Sequence, residues 1–189
     1  VVYRARRLVG EEEGENVLLK AFIRPADFEY EWYDYEEYVA HELEMNRVIR
    51  ESEFHGALTI EYAEHGKGDG IQYGVITNLR EGKTLQEYIY SPDFAYATLR
   101  DRIAIAGKIT RLVNGLHEIC KIIHGDINPG NIYMLETGAE RSGEYDPMIA
   151  LLDFGSSRYV NETCDLPLYT TEDYASAEIV EGKRKQLVK

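Results

Sequence analysis

The chain has 189 residues, a formal net charge of −13, 44% hydrophobic residues and 29% charged residues. That length allows one good-sized domain with its own core, and the composition is that of an ordinary globular protein. The acidic balance argues against a nucleic-acid partner, because phosphate contacts need clustered Lys and Arg. It is compatible with a basic protein substrate, although acidity serves solubility alone in many proteins. No apolar run is long enough to span a bilayer, and no signal peptide opens the chain. Cys120 and Cys164 make neither a metal-type spacing nor a disulfide framework, so the default compartment is a reducing cytoplasm. The chain opens on Val1 rather than Met, which allows for a fragment. The oligomeric state is left open.

In chain order, residues 2–7 and 16–23 read as two strands around the acidic turn Gly10-Glu11-Glu12-Glu13-Gly14. Val17-Leu18-Leu19 is a short buried-strand run that ends on Lys20. An acidic, aromatic stretch at 27–38 leads into a helix from about Tyr35 to Ile49, whose apolar positions Tyr38, Leu43, Met45 and Ile49 share a broad face only loosely. Strand runs follow at Ala57–Tyr62 and Tyr73–Asn78. After Gly82 the pattern turns helical, with one helix from Thr84 and a longer one over 99–120. Ile103, Ala106, Ile109, Val113, Leu116 and Ile119 recur along the longer one at helical spacing. Two short strands, Asn131–Leu135 and Met148–Leu152, bracket a polar, Gly-rich loop. A small sheet with one helix followed by a helical part predicts an α+β fold of two lobes joined near residues 78–83, with a ligand cleft between them.

The chemistry concentrates in two loops. Asp126 precedes Asn131 by five residues in His124-Gly125-Asp126-Ile127-Asn128-Pro129-Gly130-Asn131, and Asp153 follows the apolar run Ile149-Ala150-Leu151-Leu152. Two strands with oxygen ligands at their ends can bring Asn131 and Asp153 onto one hard cation, and Mg²⁺ shares such ligands with phosphates. Asp126 would then stand apart to orient a hydroxyl and accept its proton. Lys20, in a buried strand, needs anions, because an uncompensated ammonium is costly there. A helix carboxylate together with nucleotide phosphates would meet that need.

The order of Lys20, a helical Glu, the HGDINPGN stretch, Asp153-Phe154-Gly155 and Thr171-Glu172-Asp173-Tyr174-Ala175-Ser176-Ala177-Glu178 resembles the eukaryotic-like protein kinase family across essentially the whole chain. The resemblance implies a bilobal kinase fold. Residues 1–80 would form a small antiparallel sheet lobe with one helix, and 81–189 a mainly helical lobe, truncated at both ends. It implies an ATP-dependent Ser/Thr protein kinase using Mg²⁺, or Mn²⁺ in its place. Lys20 would hold the α- and β-phosphates, Asp126 would be the catalytic base, and Asn131 and Asp153 the metal ligands. Val2 and Tyr133 would line the adenine site, Thr77 would be the gatekeeper, and backbone groups from Asn78 to Arg80 would bond the adenine edge. The partner of Lys20 is Glu42 or Glu44. Glu42 gives the better buried offsets but leaves Asn46 where an apolar residue is expected.

The pattern also departs from the family. The glycine-rich loop would lie before residue 1, and the chain stops soon after Glu178, so part of the helix 99–120 would lack apolar cover. Gly125 stands where most of these kinases have Arg, Asn128 where Ser/Thr kinases have a catalytic-loop Lys, and Leu18 where Ala is usual. Two alternatives stay open. One is a small-molecule kinase of the aminoglycoside or choline type, which shares the HGD signature. The other is a pseudokinase that serves as a nucleotide-binding or interaction module.

Overall fold

The structure, a computed structural model, describes residues 2–9, 12–22, 35–65, 71–76, 81–135, 148–161, 170–178 and 180. Strands β1 (Val2–Val9) and β2 (Glu12–Phe22) form an antiparallel hairpin in which Val2 faces Lys20 and Val9 faces Glu12. Glu12 to Gly14 of the expected turn therefore belong to β2, which opens four residues ahead of the expected strand 16–23 and reaches Phe22. The reason lies in the pairing. β2 is flanked on its other edge by β4 (Gln72–Ile76), from Leu18 opposite Ile76 to Phe22 opposite Gln72, and a strand paired on both edges stays extended. β3 (Tyr62–His65) completes a four-stranded sheet of order β1-β2-β4-β3.

Helix α1 (Tyr35–Glu51) lies against this sheet, with Val39 packed beside Leu18, Phe22, Ile60 and Ile76. Further along, its Met45 and Ile49 enter a second and larger cluster with Phe54, Leu116, Leu151 and Phe154. One helix thus serves both cores. The strand expected over Ala57–Tyr62 begins only at Tyr62. Upstream, Leu58 N donates to Leu151 O (2.9 Å) and Leu151 N to Gly56 O (2.9 Å). The amide of Ile60 is taken by the Asn46 side chain, so the segment's bonds go to two other elements before the ladder with β4 can start.

Two short helices follow β5 (Gly82–Thr84). These are α2 (Leu85–Ile89), started by a capping box of Thr84 and Glu87, and α3 (Pro92–Tyr96). Helix α4 (Leu99–Gly115) opens on a second capping box, Thr98 with Asp101, and ends in a π turn over Leu116–Cys120. The buried face differs from the expected stripe, whose mostly three-residue steps drift off one helix face, whereas Ile105, Ile109, Leu112, Leu116 and Cys120 keep the helical repeat. Ile105, Leu116 and Cys120 are buried, while Ile103 is 62% and Ile119 50% exposed.

The remaining strands are pairs that set the loops. β6 (Ile122–Ile123) pairs with β9 (Arg158–Tyr159), and β7 (Ile132–Leu135) lies between β5 and β8 (Met148–Leu151) in an antiparallel three-stranded sheet. The architecture is α+β, with small antiparallel sheets and several helices. No described helix is long and apolar enough to cross a membrane.

Candidate functional site

The β6–β9 and β7–β8 pairs bring the loop 124–131 alongside the loop 152–157. His124, buried, donates Nε2–H to Leu152 O (2.9 Å), while Ser157 Oγ donates to His124 O (3.0 Å). Leu152 N donates to Asn131 O (2.9 Å). Burial holds the His124 imidazole below its ordinary pKa, against the raising effect of its bond to Leu152, so it is neutral at physiological pH and braces the two loops. Gly125 has φ +82°, and a Cβ there would sit 2.2 Å from the carbonyl oxygen of Ser156. The close approach of the loops is the physical reason for glycine at this position.

Asp126 is surrounded by donors. Its Oδ2 accepts from Asn128 Nδ2 (2.9 Å), Asn131 Nδ2 (2.9 Å) and Thr171 Oγ1 (3.3 Å). Its Oδ1 accepts from Thr171 N (2.7 Å) and Thr170 Oγ1 (3.2 Å). Asn128 Nδ2 also donates to Thr171 Oγ1 (3.1 Å), so Asn128 links the 124–131 loop to the segment that starts at Thr170. The amide nitrogen of Asn131 is committed to Asp126, which leaves the carbonyl oxygen, the atom a hard cation would take.

Lys20 joins three elements. Its Nζ donates to Glu42 Oε1 of α1 at 2.6 Å and to Asp153 Oδ1 at 2.7 Å. Glu44, the alternative partner, instead bonds Arg47 on the exposed face of α1. Desolvation alone would lower the lysine's pKa, but the charges of Glu42 and then Asp153 outweigh it and hold Lys20 above its ordinary value. Burial likewise pushes Asp153 up, and the Lys20 charge and hydrogen bond pull it below the usual carboxylate range. Lys20 and Asp153 are therefore an ionised pair. Glu42 is fully buried, and among the described residues nothing donates to its Oε2. Burial raises it to about 7 in spite of Lys20.

The backbone at Asp153 is in the left-handed region, φ +61°, which is uncommon outside glycine and concentrated at functional sites. Phe154, fully buried against the His124 ring at 5.1 Å between centroids, anchors that turn. A Cβ on Gly155 would lie 2.2 Å from Tyr38 Oη and 2.9 Å from Glu42 Oε2, so α1 presses directly on this loop.

Leu18, Lys20, Glu42, Asn131, Tyr133 and Asp153 line one cleft of about 180 Å³, and Asp126, outside the lining, is joined to it through its bond with Asn131. Tyr133 is buried at its floor. Val2 stands opposite Lys20 in the β1–β2 ladder, and its side chain lies outside the described residues. Thr77, Asn78 and Arg80 also lie outside them. The Arg4 guanidinium, in the cleft lining, donates to Gly82 O (2.8 Å), and neither this bond nor the Thr170–Thr171 grip on Asp126 leaves a signal in the sequence. No group of three or more His, Cys, Asp or Glu able to hold a metal occurs among the described residues. A pair such as Asn131 and Asp153 is nonetheless the donor set Mg²⁺ takes when phosphates supply further oxygens. The chain matches no known protein-family model and none of the curated proteins with which it was compared.

Proposed function

We propose that this chain is a protein-kinase-like phosphotransferase domain of two lobes, 1–80 and 81–189, which transfers the γ-phosphate of ATP to a serine or threonine hydroxyl of a protein. The observation that carries the reading is the contact of Lys20 with both Glu42 (2.6 Å) and Asp153 (2.7 Å), beside Asp126 and Asn131. Residues from β2, α1 and two loops, far apart in sequence, come together at and beside one cleft, which supports a reading as a phosphoryl-transfer site. When bound, ATP supplies the phosphoryl group and Mg²⁺ neutralises its charge. Asn131 and Asp153 would hold the cation through oxygen, and Lys20 would add a fixed positive charge that needs no reorganisation.

Asp126 orients the acceptor hydroxyl and takes its proton. For that, Thr170 and Thr171 must yield at least one of their bonds to its carboxylate. Asn128, without a charge, steadies Asp126 where Lys would have steadied phosphate. The net charge of −13 supports a basic protein substrate, and the free, buried Cys120 is consistent with a reducing cytoplasm.

The test is calorimetric titration with ATP. Binding should require Mg²⁺, weaken strongly in Lys20→Met, and lose its Mg²⁺ dependence in Asp153→Asn. Binding that ignores all three changes would remove the reading.

A further inference from the structure

Helix α1 carries three polar side chains at four-residue spacing on one face, the buried Glu42 and Asn46 and the exposed Arg50. Glu42 meets Lys20. The other two grip the backbone of one residue in the neighbouring segment, Ile60. Asn46, 2% exposed, accepts from Ile60 N (2.8 Å) and donates to Glu42 O (2.8 Å). Arg50 donates from Nη1 to Ile60 O (2.5 Å). Both backbone groups of Ile60 are thus held by side chains of α1, one turn and two turns below Glu42. Ile60 is itself fixed, with its side chain buried in the sheet-side core and the next amide, Glu61 N, bonded to Val75 O (2.8 Å). The grip ties the height and rotation of α1 to the sheet that carries Lys20.

Glu42 needs such help. Lys20 is the partner of Oε1, nothing described donates to Oε2, and the carboxylate is fully buried. Its position is dictated by the helix that carries it. His41 adds a tie on the far side, Nε2 to Ser157 O at 2.7 Å, but this reaches the 152–157 loop and not the sheet. An apolar residue at 46 would fill the space and leave the amide of Ile60 buried without a partner, a cost that moving the helix relieves.

We infer that Asn46 and Arg50 are positioning residues, a clamp on the Ile60 backbone that sets α1 so that Glu42 meets Lys20. The clamp acts from within the chain and holds the ion pair without an outside partner. Its effect on catalysis rests on the phosphotransferase reading; its effect on Lys20 does not.

The experiment therefore reads Lys20 first. The full chain is acylated with an N-hydroxysuccinimide ester, and the labelling rate of each lysine is followed by mass spectrometry. Acylation requires the amine to leave its carboxylate partners and meet the reagent, and the bond to Glu42 Oε1 at 2.6 Å holds it in place. Asn46→Leu should raise the Lys20 rate severalfold relative to the other lysines, because the amine is then held by Asp153 alone. Glu42→Gln should do the same, and the double variant should label no faster than Glu42→Gln alone. Arg50→Met, at an exposed site that folding tolerates, should shift the rate in the same direction by less, and again not in the Glu42→Gln background.

In transfer assays, kcat/KM for ATP should fall on the order of 100-fold in Asn46→Leu, the cost of a small misplacement, and no further when combined with Glu42→Gln. Additive effects, or unchanged Lys20 labelling in folded Asn46→Leu and Arg50→Met proteins, would overturn the clamp. If labelling responds as expected and the unsubstituted chain neither binds ATP nor transfers phosphate, the clamp stands and the phosphotransferase reading falls.

Discussion

Replacing Gly125 by Ala is the sharpest structural test of the loop that carries Asp126. Two costs add. Gly125 sits at φ +82°, where an L-residue pays about 1–2 kcal/mol. Its new Cβ would lie 2.2 Å from Ser156 O and 3.0 Å from Ser156 C, both backbone atoms, so one loop must move. Forced overpacking of this kind costs about 1–3 kcal/mol. The sum, roughly 2–5 kcal/mol, corresponds to a Tm lowered by about 4–20 °C for a chain of this size. Gly107 provides the internal control. It lies within α4, and a Cβ there meets nothing closer than Arg111 Nη1 at 3.6 Å. Gly107→Ala should stabilise by about 1 kcal/mol through helix propensity. Urea unfolding of the two variants beside the unsubstituted chain measures both signs. A Gly125→Ala protein as stable as the parent would refute the claim that loops 124–131 and 152–157 touch at this point.

Glu42 should leave a mark on the pH dependence of stability. Its pKa is raised from 4.5 to about 7, so between those values the native state keeps a proton that the unfolded chain has lost. Stability from this group is fully present below about pH 4.5 and is lost as pH rises through 7, by on the order of 3 kcal/mol. His124, held neutral by burial, slopes the other way as pH falls below 6.5, and the depressed Asp153 acts only below 3.8. The difference in unfolding free energy between Glu42→Gln and the parent therefore carries the test, and it should grow from pH 5 to pH 7.5. The buried face of α4 is checked by a pair of substitutions. Ile103→Lys should change stability by no more than about 0.5 kcal/mol, whereas Ile105→Ala should cost about 2–5 kcal/mol. Equal losses at both would restore the stripe suggested by simple periodicity.

The contrast between these sites shows what the sequence made legible. Lys20, Asp126, Asn131 and Asp153 could be picked out because each stands at a fixed offset in a short, chemically unusual loop or strand. Their convergence needs only that the strands pair. Asn46 could not be read in the same way. Its reason is the amide of Ile60, fourteen residues on, and a side chain that bonds a remote backbone leaves no periodic trace. The same bond, with those of Leu58 and Gly56 to Leu151, explains why the strand expected from Ala57 starts at Tyr62. In α4 the apolar residues offer two overlapping stripes, and the one at true helical spacing, Ile105, Ile109, Leu112, Leu116 and Cys120, is the one that packs, so Cys120 takes a buried place and Ile119 does not. Thr170 and Thr171 carry no spacing that ties them to Asp126, and only the fold brings them within reach of it.

The central claim is that Asp126, Asn131, Lys20 and Asp153 form a phosphoryl-transfer site. The most direct measurement is transfer of labelled γ-phosphate from ATP by the full-length protein, with a basic protein, an aminoglycoside and choline offered separately as acceptors. The account predicts Mg²⁺-dependent label on protein serine or threonine, abolished by Asp126→Asn and by Asp153→Ala. Label only on a small alcohol would contradict the protein-substrate reading. Transfer that persists in both variants, or nucleotide binding with no transfer to any acceptor, would contradict the site itself.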